Sequence, residues 1–338
     1  MARKQRSIVP IFIPHQGCPY RCVFCDQNEI SGVEHSEDAT RVRQAFETYL
    51  FATPPNRLPL KREVAFYGGT FTGLPAVRQE FLLSQAQQQV DAGWVHSIRL
   101  STHADFIDAE KLDRLARYSV KTVELGVQST DAGVLNRSGR IDAFCNVPRA
   151  ASMIRERGFE LGMQLMIGLP GDDASLFLQT VSDTIALQPD FVRIYPTLVL
   201  RGTALFELYQ KGDYTPWSLE RTVPVLARGV RMFQDVGIPV IRIGLHPEPS
   251  MLESLVAGPH HPALRSLVDS RLAREELTTL LDQGRPLPEK VVVRVPSERI
   301  SHYTGHQKEN VTYLKNRYAL GHLVMQGQRG LTAIGLAT

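Results

Sequence analysis

The sequence predicts an α/β protein built as an open or partial (β/α) barrel with a small C-terminal appendage. Three observations point there. Short β-branched or apolar runs recur along residues 1–245, amphipathic stretches of helical length separate them, and several of those stretches end in glycine, as helix C-termini do. Strand, helix, strand repeated in this way implies a parallel sheet with right-handed crossovers. Six or seven such units suit a partial barrel better than a doubly wound sheet.

In chain order, strands are expected at residues 8–14 (IVPIFIP), 62–68 (REVAFYG), 97–102 (SIRLST), 121–127 (KTVELGV), 160–168 (ELGMQLMIG), 190–196 (DFVRIYP) and 239–244 (PVIRIG). Between them the 3.6-residue period marks helices such as ATRVRQAFETYLFA, LPAVRQEFLLSQAQQQVDAG, DAEKLDRLARY, NVPRAASMIRERG, ASLFLQTVSDTIAL and SLERTVPVLARGVRMFQDVG. The pattern changes after Met251. A Pro/His-rich turn, AGPHHPALRSL, leads to a helix around LVDSRLAREELTTLLDQG, a strand at 290–295 (KVVVRV) and a polar tail holding a helix candidate, ENVTYLKNRYALGHLV. The expected division is therefore a barrel over 1–250 and an α/β appendage packed on it over 251–338.

Composition narrows the function classes. Hydrophobic residues are 43% and charged residues 22% of the 338, the balance of a globular protein. A net charge of +3 does not by itself demand a nucleic-acid partner. No apolar run approaches the ~20 residues of a membrane-spanning helix, and residues 8–14 are too short and proline-broken for a secretory signal. The cytoplasm is the expected compartment. Four cysteines, three of them crowded, do not resemble a disulfide framework.

Those three, Cys18, Cys22 and Cys25, follow the first strand with spacing C-x3-C-x2-C on a loop marked by Pro19 and Arg21. In barrels of this kind chemistry sits at the C-terminal ends of strands. Clustered thiolates are soft ligands for zinc, copper(I) or iron–sulfur clusters. Structural zinc needs a fourth ligand, which His15 or His35 could supply. A 4Fe–4S cluster normally takes four cysteines. Three would leave one iron with an open position for a small molecule bearing an amine and a carboxylate.

This spacing resembles that of the radical S-adenosylmethionine (SAM) enzymes. The resemblance implies a partial barrel of that type and a cluster that passes an electron to the sulfonium of SAM. SAM then splits into methionine and a 5′-deoxyadenosyl radical that takes hydrogen from a substrate. It also implies an electron donor such as ferredoxin or flavodoxin. Phe24 fits the family preference for a ring near the adenine. FYGGTF, behind the second strand, matches the family's glycine motif, which assigns Gly68, Gly69 and Thr70 to the methionine amino group. After the fourth strand, ELGVQS offers Gln128, able to donate to and accept from a ribose diol, and NRSGR offers Arg137 as a clamp for the methionine carboxylate. MIGLPGD carries Gly168, Pro170 and Gly171, a turn able to meet adenine through main-chain groups. For each of these the plain alternative is an ordinary turn or a surface polar residue.

Across residues 10–250, YGGTF, ELGVQS, GLPG and the long stretch RIYPTLVLRGTALFELYQKGDY resemble the radical SAM domain of the Elongator catalytic subunit, which modifies wobble uridine in tRNA. Two parts of that subunit are not expected here, the acetyltransferase domain and the basic N-terminal extension that helps hold tRNA. Where the family reads Glu-Thr-Arg-Pro-Asp after strand three, this chain has Ser101-Thr102-His103-Ala104-Asp105. Gln164 stands where coproporphyrinogen oxidases carry an aspartate; an amide can bond adenosine but is no base. The expected function is hydrogen abstraction from a substrate, with an RNA base of tRNA as the leading choice. A tetrapyrrole or other small metabolite is the alternative, and a non-catalytic metal-binding protein is the alternative of another class. No residue is singled out as catalytic acid or base.

The tail mixes Arg294, Arg299, Lys308, Lys315, Arg317 and Arg329 with His302, His306, Tyr303, Tyr313 and Tyr318. It reads either as a grip for phosphates and bases or as a solvated helix. His260 and His261 read as a Pro-flanked loop, and Cys145 as a small residue before a helix.

Overall fold

The computed structural model describes residues 6–13, 16–18, 20–25, 38–51, 61–141, 144–245 and 249–336. It divides into two compact units, Met1–Trp217 with Phe233–Pro259, and Ser218–Met232 with His260–Thr338.

The first unit is built on seven parallel strands: β1 Arg6–Phe12, β2 Lys61–Tyr67, β3 Ser97–Thr102, β4 Val120–Gln128, β5 Glu160–Ile167, β6 Phe191–Pro196 and β8 Val240–Ile243. They lie side by side in chain order, leaving β1 and β8 as the two edges, so the sheet is an open, partial barrel. A two-stranded ribbon pairs β7, Val199–Leu200, with β9, Leu255–Ala257. The helices are α1 Asp38–Phe46, α2 Ala76–Asp91, α3 Ala109–Ala116, α4 Ala132–Arg137, α5 Val147–Glu156, α6 Ala174–Ala186, α7 Ala204–Lys211 and α9 Pro249–Ser254. Most of α8, Leu219–Asp235, belongs to the second unit. Asp108, Asp131, Asp173 and Thr203 cap α3, α4, α6 and α7 by accepting main-chain N–H groups.

Strand period two divides the sheet into two faces. Val64, Phe66, Ile98, Leu100, Val123, Leu125, Leu161, Leu165, Val192 and Ile194 are fully buried and form the apolar face. The opposite parity puts Glu63, Tyr67, Arg99, Glu124, Gln164 and Arg193 on the concave face. That inner face is polar because it lines a cavity and is not filled by a core.

The second unit has a three-stranded sheet in the order β11 His322–Gln328, β10 Lys290–Pro296, β12 Gly335–Leu336, with β10 parallel to β11 and antiparallel to β12. Its helices include α10 Leu264–Gln283, α11 Ile300–Thr304 and α12 Glu309–Tyr318. Ala273, Leu277 and Leu281 pack against Val291, Val293, Val295, Tyr303 and Leu314 in one apolar cluster. The expected helix at ENVTYLKNRYALGHLV ends at Tyr318; Ala319 adopts a left-handed conformation (φ +50°) and the chain turns into β11. Among the described residues no helix is long and apolar enough to cross a membrane.

Candidate active site

The cysteine loop is tied to the turn after β2, to the C-terminus of α4 and to the first turn of α7. Thr70 N–H donates to the Gln16 carbonyl at 2.9 Å, Val23 N–H to Ser138 at 3.1 Å, and Leu205 N–H to Val23 at 2.7 Å. The approach is close enough to require glycine. A Cβ on Gly17 (φ +73°) would lie 2.3 Å from the Thr70 carbonyl oxygen, and one on Gly69 2.5 Å from the oxygens of both Ile13 and Gln16. The Gly-Gly-Thr turn therefore holds the cysteine loop in place before any ligand is considered.

None of the four cysteines is in a disulfide; Cys22 is buried, Cys18 and Cys25 are half-buried, and Cys145 is exposed. Cys18, Cys22 and Cys25 line one cavity of about 880 Å³ together with Phe24, Gly68, Gly69, Thr70, Gln128 and Gln164. The thiolates of a cluster bind separate iron atoms at the corners of a cube, so they need not converge as donors to one ion do. Among the described residues no three His, Cys, Asp or Glu side chains converge in that single-ion manner. His15 and His35, named above as a fourth zinc ligand, lie outside the described residues, as does Pro19.

Several lining residues hold buried polar atoms with no protein partner, as a cavity built for a polar ligand would show. Gln128 Oε1 is one. This residue sits at a bulge in β4 with φ +69°, a strained conformation for a side chain other than glycine. The others are Arg140 Nε, His103 Nε2 and Arg193 Nε. The three thiols, the glycine cradle and these unclaimed donors and acceptors fit a thiolate-held cluster beside a ligand with amine, carboxylate and ribose groups.

Two expected contacts lie elsewhere. Arg137 is exposed and lies over Gly171, outside the cavity lining. Gly168 is also outside it. Its N–H goes to Asp172 at 2.7 Å, its carbonyl accepts from Tyr214 at 2.6 Å, and a Cβ there would sit 3.3 Å from the Trp217 ring.

Arg140, the second arginine of NRSGR, reaches the cavity beside the cysteines. Buried behind the Gly139 turn (φ +73°), it donates to the Gly126 carbonyl at 2.7 Å and to Cys22 Sγ at 3.6 Å. Burial pushes the Cys22 thiol up, while the charge and hydrogen bond of Arg140 pull the other way. The glycine between the two arginines was the available signal, since it turns the chain back toward the cysteine loop.

His103 stacks on Tyr20 at 4.6 Å. Burial and the charge of Arg140 hold it down to about 4, so the imidazole is neutral. Its Nδ1 accepts from Asp105 N–H at 3.2 Å, which places the proton on Nε2. Asp105 in turn accepts from Tyr20 and from Asn146, the latter at 2.9 Å. Burial and Asp105 push the Tyr20 phenol up to about 12.

Deeper in the barrel Glu124 accepts from Arg99 at 3.1 Å, Arg193 at 2.8 Å and Tyr67 at 3.2 Å, and Arg99 also pairs with Glu63 at 2.8 Å. Burial works against the Arg193 cation, but Tyr195, Glu124 and Tyr67 more than offset it. Two carboxylates and two guanidiniums thus balance out of water.

A family model described as the Radical SAM superfamily matches residues 12–184, just over half of the chain, and one described as the Radical_SAM C-terminal domain matches residues 189–274. The tRNA uridine(34) acetyltransferase of Methanocaldococcus jannaschii is 23% identical over 262 residues, covering 65% of this chain and 48% of that protein. Elongator complex protein 3 of Schizosaccharomyces pombe is 30% identical over 218 residues, covering 55% and 40%. The chain thus spans about half or less of these relatives' lengths. A solved structure of Elp3 from the archaeon Methanocaldococcus infernus superposes with a TM-score of 0.63 at 18% identity, covering 81% of this chain and 64% of that one, which shows a shared fold. The chain belongs to the radical SAM superfamily, enzymes whose cofactors are a 4Fe–4S cluster and S-adenosylmethionine.

Proposed function

We propose that this radical SAM enzyme modifies an RNA base, of the wobble-uridine class in tRNA, with Cys18, Cys22 and Cys25 as the cluster ligands. Held by these thiolates, the cluster with SAM would supply radical chemistry for hydrogen abstraction. The protein's part is to bind, orient and exclude. The main chain of Gly68, Gly69 and Thr70 receives the methionine amino group, and Gln128 receives the ribose. Arg140, whose Nε has no protein partner, takes the carboxylate in place of Arg137. Gln164 serves adenosine, and Phe24 gives the adenine an apolar wall. Neutral His103 offers its Nε2 proton to an acceptor in the cavity.

The observation that carries this reading is the shared cavity, which three thiols, the glycine turn and four unclaimed polar atoms line together. Its volume lies near the top of the ~300–1,000 Å³ range of small-molecule sites, with room for a planar base beside SAM. The substrate class rests on relatives named for tRNA uridine. A ferredoxin or flavodoxin is the proposed electron donor. The test is mass spectrometry of tRNA nucleosides from cells with and without the gene. Loss of a modified wobble uridine is expected; an unchanged nucleoside profile beside an accumulating tetrapyrrole or other metabolite would reject RNA as substrate.

A further inference from the structure

In the second unit Arg271, Arg274, Arg317 and Tyr313 line a groove between α10 and α12, and Tyr318 and Arg285 continue the alternation of rings and guanidiniums beside it. Arg274 lies over the Tyr313 ring at 4.8 Å, and Arg317 Nη1 donates to the Tyr313 hydroxyl oxygen at 3.1 Å. Arg317 also lies 5.6 Å from the Tyr318 ring, which Arg285 covers at 5.1 Å. Positions 271, 274, 278 and 282 share one face of α10, and 313 and 317 are one turn apart on α12. The groove encloses about 300 Å³ and has no aliphatic lining residue.

Its charges do not cancel. Glu275 accepts from Arg271 at 2.9 Å. Asp282 accepts from Tyr318 at 2.8 Å and stands 3.9 Å from Arg317 and 3.7 Å from Arg285. Glu309 adds a third carboxylate near Arg274, so four arginines face three carboxylates. Among the described residues the Arg274 guanidinium has neither a hydrogen bond nor an ion pair; Arg271 adds a like charge near it, and Glu309 and Glu275 partly offset that charge without pairing. Its planar face is held by Tyr313 while its N–H donors stay unclaimed. Tyr313 itself is 40% exposed.

A guanidinium with open donors matches a phosphate fork, and a fixed aromatic ring matches the flat face of a base. An anionic membrane surface could meet the arginines but would leave the Tyr313 ring without a stacking partner. An acidic peptide would gain nothing from the stacked ring. We propose that this groove binds RNA, with Arg274 and Arg317 on phosphates and Tyr313 stacked on an unpaired base. The inference rests on the RNA reading above and gives the substrate a second point of attachment, on a unit separate from the cysteine cavity.

The test is anisotropy of a fluorescently labelled tRNA transcript with the full chain, titrated at several salt concentrations. Arg274→Gln and Arg317→Gln should each weaken binding about tenfold at low salt and make the log–log salt slope shallower by about 1. Tyr313→Ala should weaken it about fivefold or more, while Tyr313→Phe, which keeps the ring, binds nearly as wild type. Lys121→Gln, an exposed cation on β4, should bind unchanged. Melting curves of each variant separate lost contacts from lost folding. Wild-type binding that all groove variants retain would overturn the inference and leave the RNA reading standing. A wild-type protein that binds no tRNA at any salt would remove both. Groove variants that lose binding to phosphatidylserine vesicles but not to RNA would also overturn it.

Discussion

Glu124→Gln is the most informative single change in the barrel interior. The wild-type carboxylate accepts three hydrogen bonds and is 2% exposed, and with Glu63 it balances Arg99 and Arg193. An amide keeps the shape but leaves the four-residue network at a net charge of +1, away from water. Removing one partner of a buried pair costs roughly 3–5 kcal/mol. At about 2–4 °C per kcal/mol for a domain of this size, the melting temperature should fall on the order of 10 °C. The assay is thermal unfolding by circular dichroism on anaerobically prepared protein. A second variant sharpens it. Glu124→Gln combined with Arg193→Met leaves Arg99 and Glu63 as a neutral pair, so the double change should cost less than the sum of the singles by more than ~1.5 kcal/mol. A Glu124→Gln protein within ~1 kcal/mol of wild type, or strict additivity in the double, would refute the claim that this network is an interior charge balance.

Three further outcomes follow from the site. Unfolded His103 takes up a proton near pH 6.5, whereas the folded imidazole waits until about 4. Its contribution is therefore whole above 6.5 and is lost as pH falls, by about 2 kcal/mol at pH 5; urea unfolding should show this loss, reduced in His103→Gln, and equal pH profiles would count against a buried neutral imidazole. Arg140→Gln should weaken SAM binding on the order of tenfold by equilibrium dialysis, and Arg137→Gln should change it less than twofold; the reverse ranking would return the carboxylate to Arg137. In Gly69→Val the new Cβ meets two carbonyl oxygens at 2.5 Å, so the turn must move by about half an ångström or more, at ~1–3 kcal/mol. SAM affinity should drop, and iron and sulfide content should fall with it because the same turn holds the cysteine loop; unchanged affinity would displace the amino group from this turn.

The fold was legible because its signals are local. All seven barrel strands, including residues 97–102 to the residue, stand where apolar periodicity puts them, since a strand covered by helices must carry Val, Ile and Leu on its outer face. The strands β7, β9, β11 and β12 were not foreseen. β7, β9 and β12 are two or three residues long, and β11, HLVMQGQ, is largely exposed, so little hydrophobic pattern marks it. The helix before β11 ends on Ala319 in the left-handed region, without the glycine that usually announces such a stop. At the site, the cysteine loop and the glycine turn were visible because each is a short contiguous motif. Arg140, His103 and the Glu124 network were not, for a physical reason. In the Glu124 network charged residues alternate with apolar ones and read as a solvent face until the sheet curls and makes that face the wall of a cavity, whereas Arg140 and His103 stand on turns whose course only the fold sets.

Radical chemistry here requires three thiolates holding a cluster with one iron left to SAM. Mössbauer spectroscopy of the ⁵⁷Fe-reconstituted, anoxic protein with and without SAM tests it directly. SAM should shift the signal of one iron site in four, and Cys22→Ala should remove the cluster while the far-ultraviolet dichroism stays folded. Four equivalent irons that ignore SAM, or stoichiometric zinc in place of iron, would contradict it.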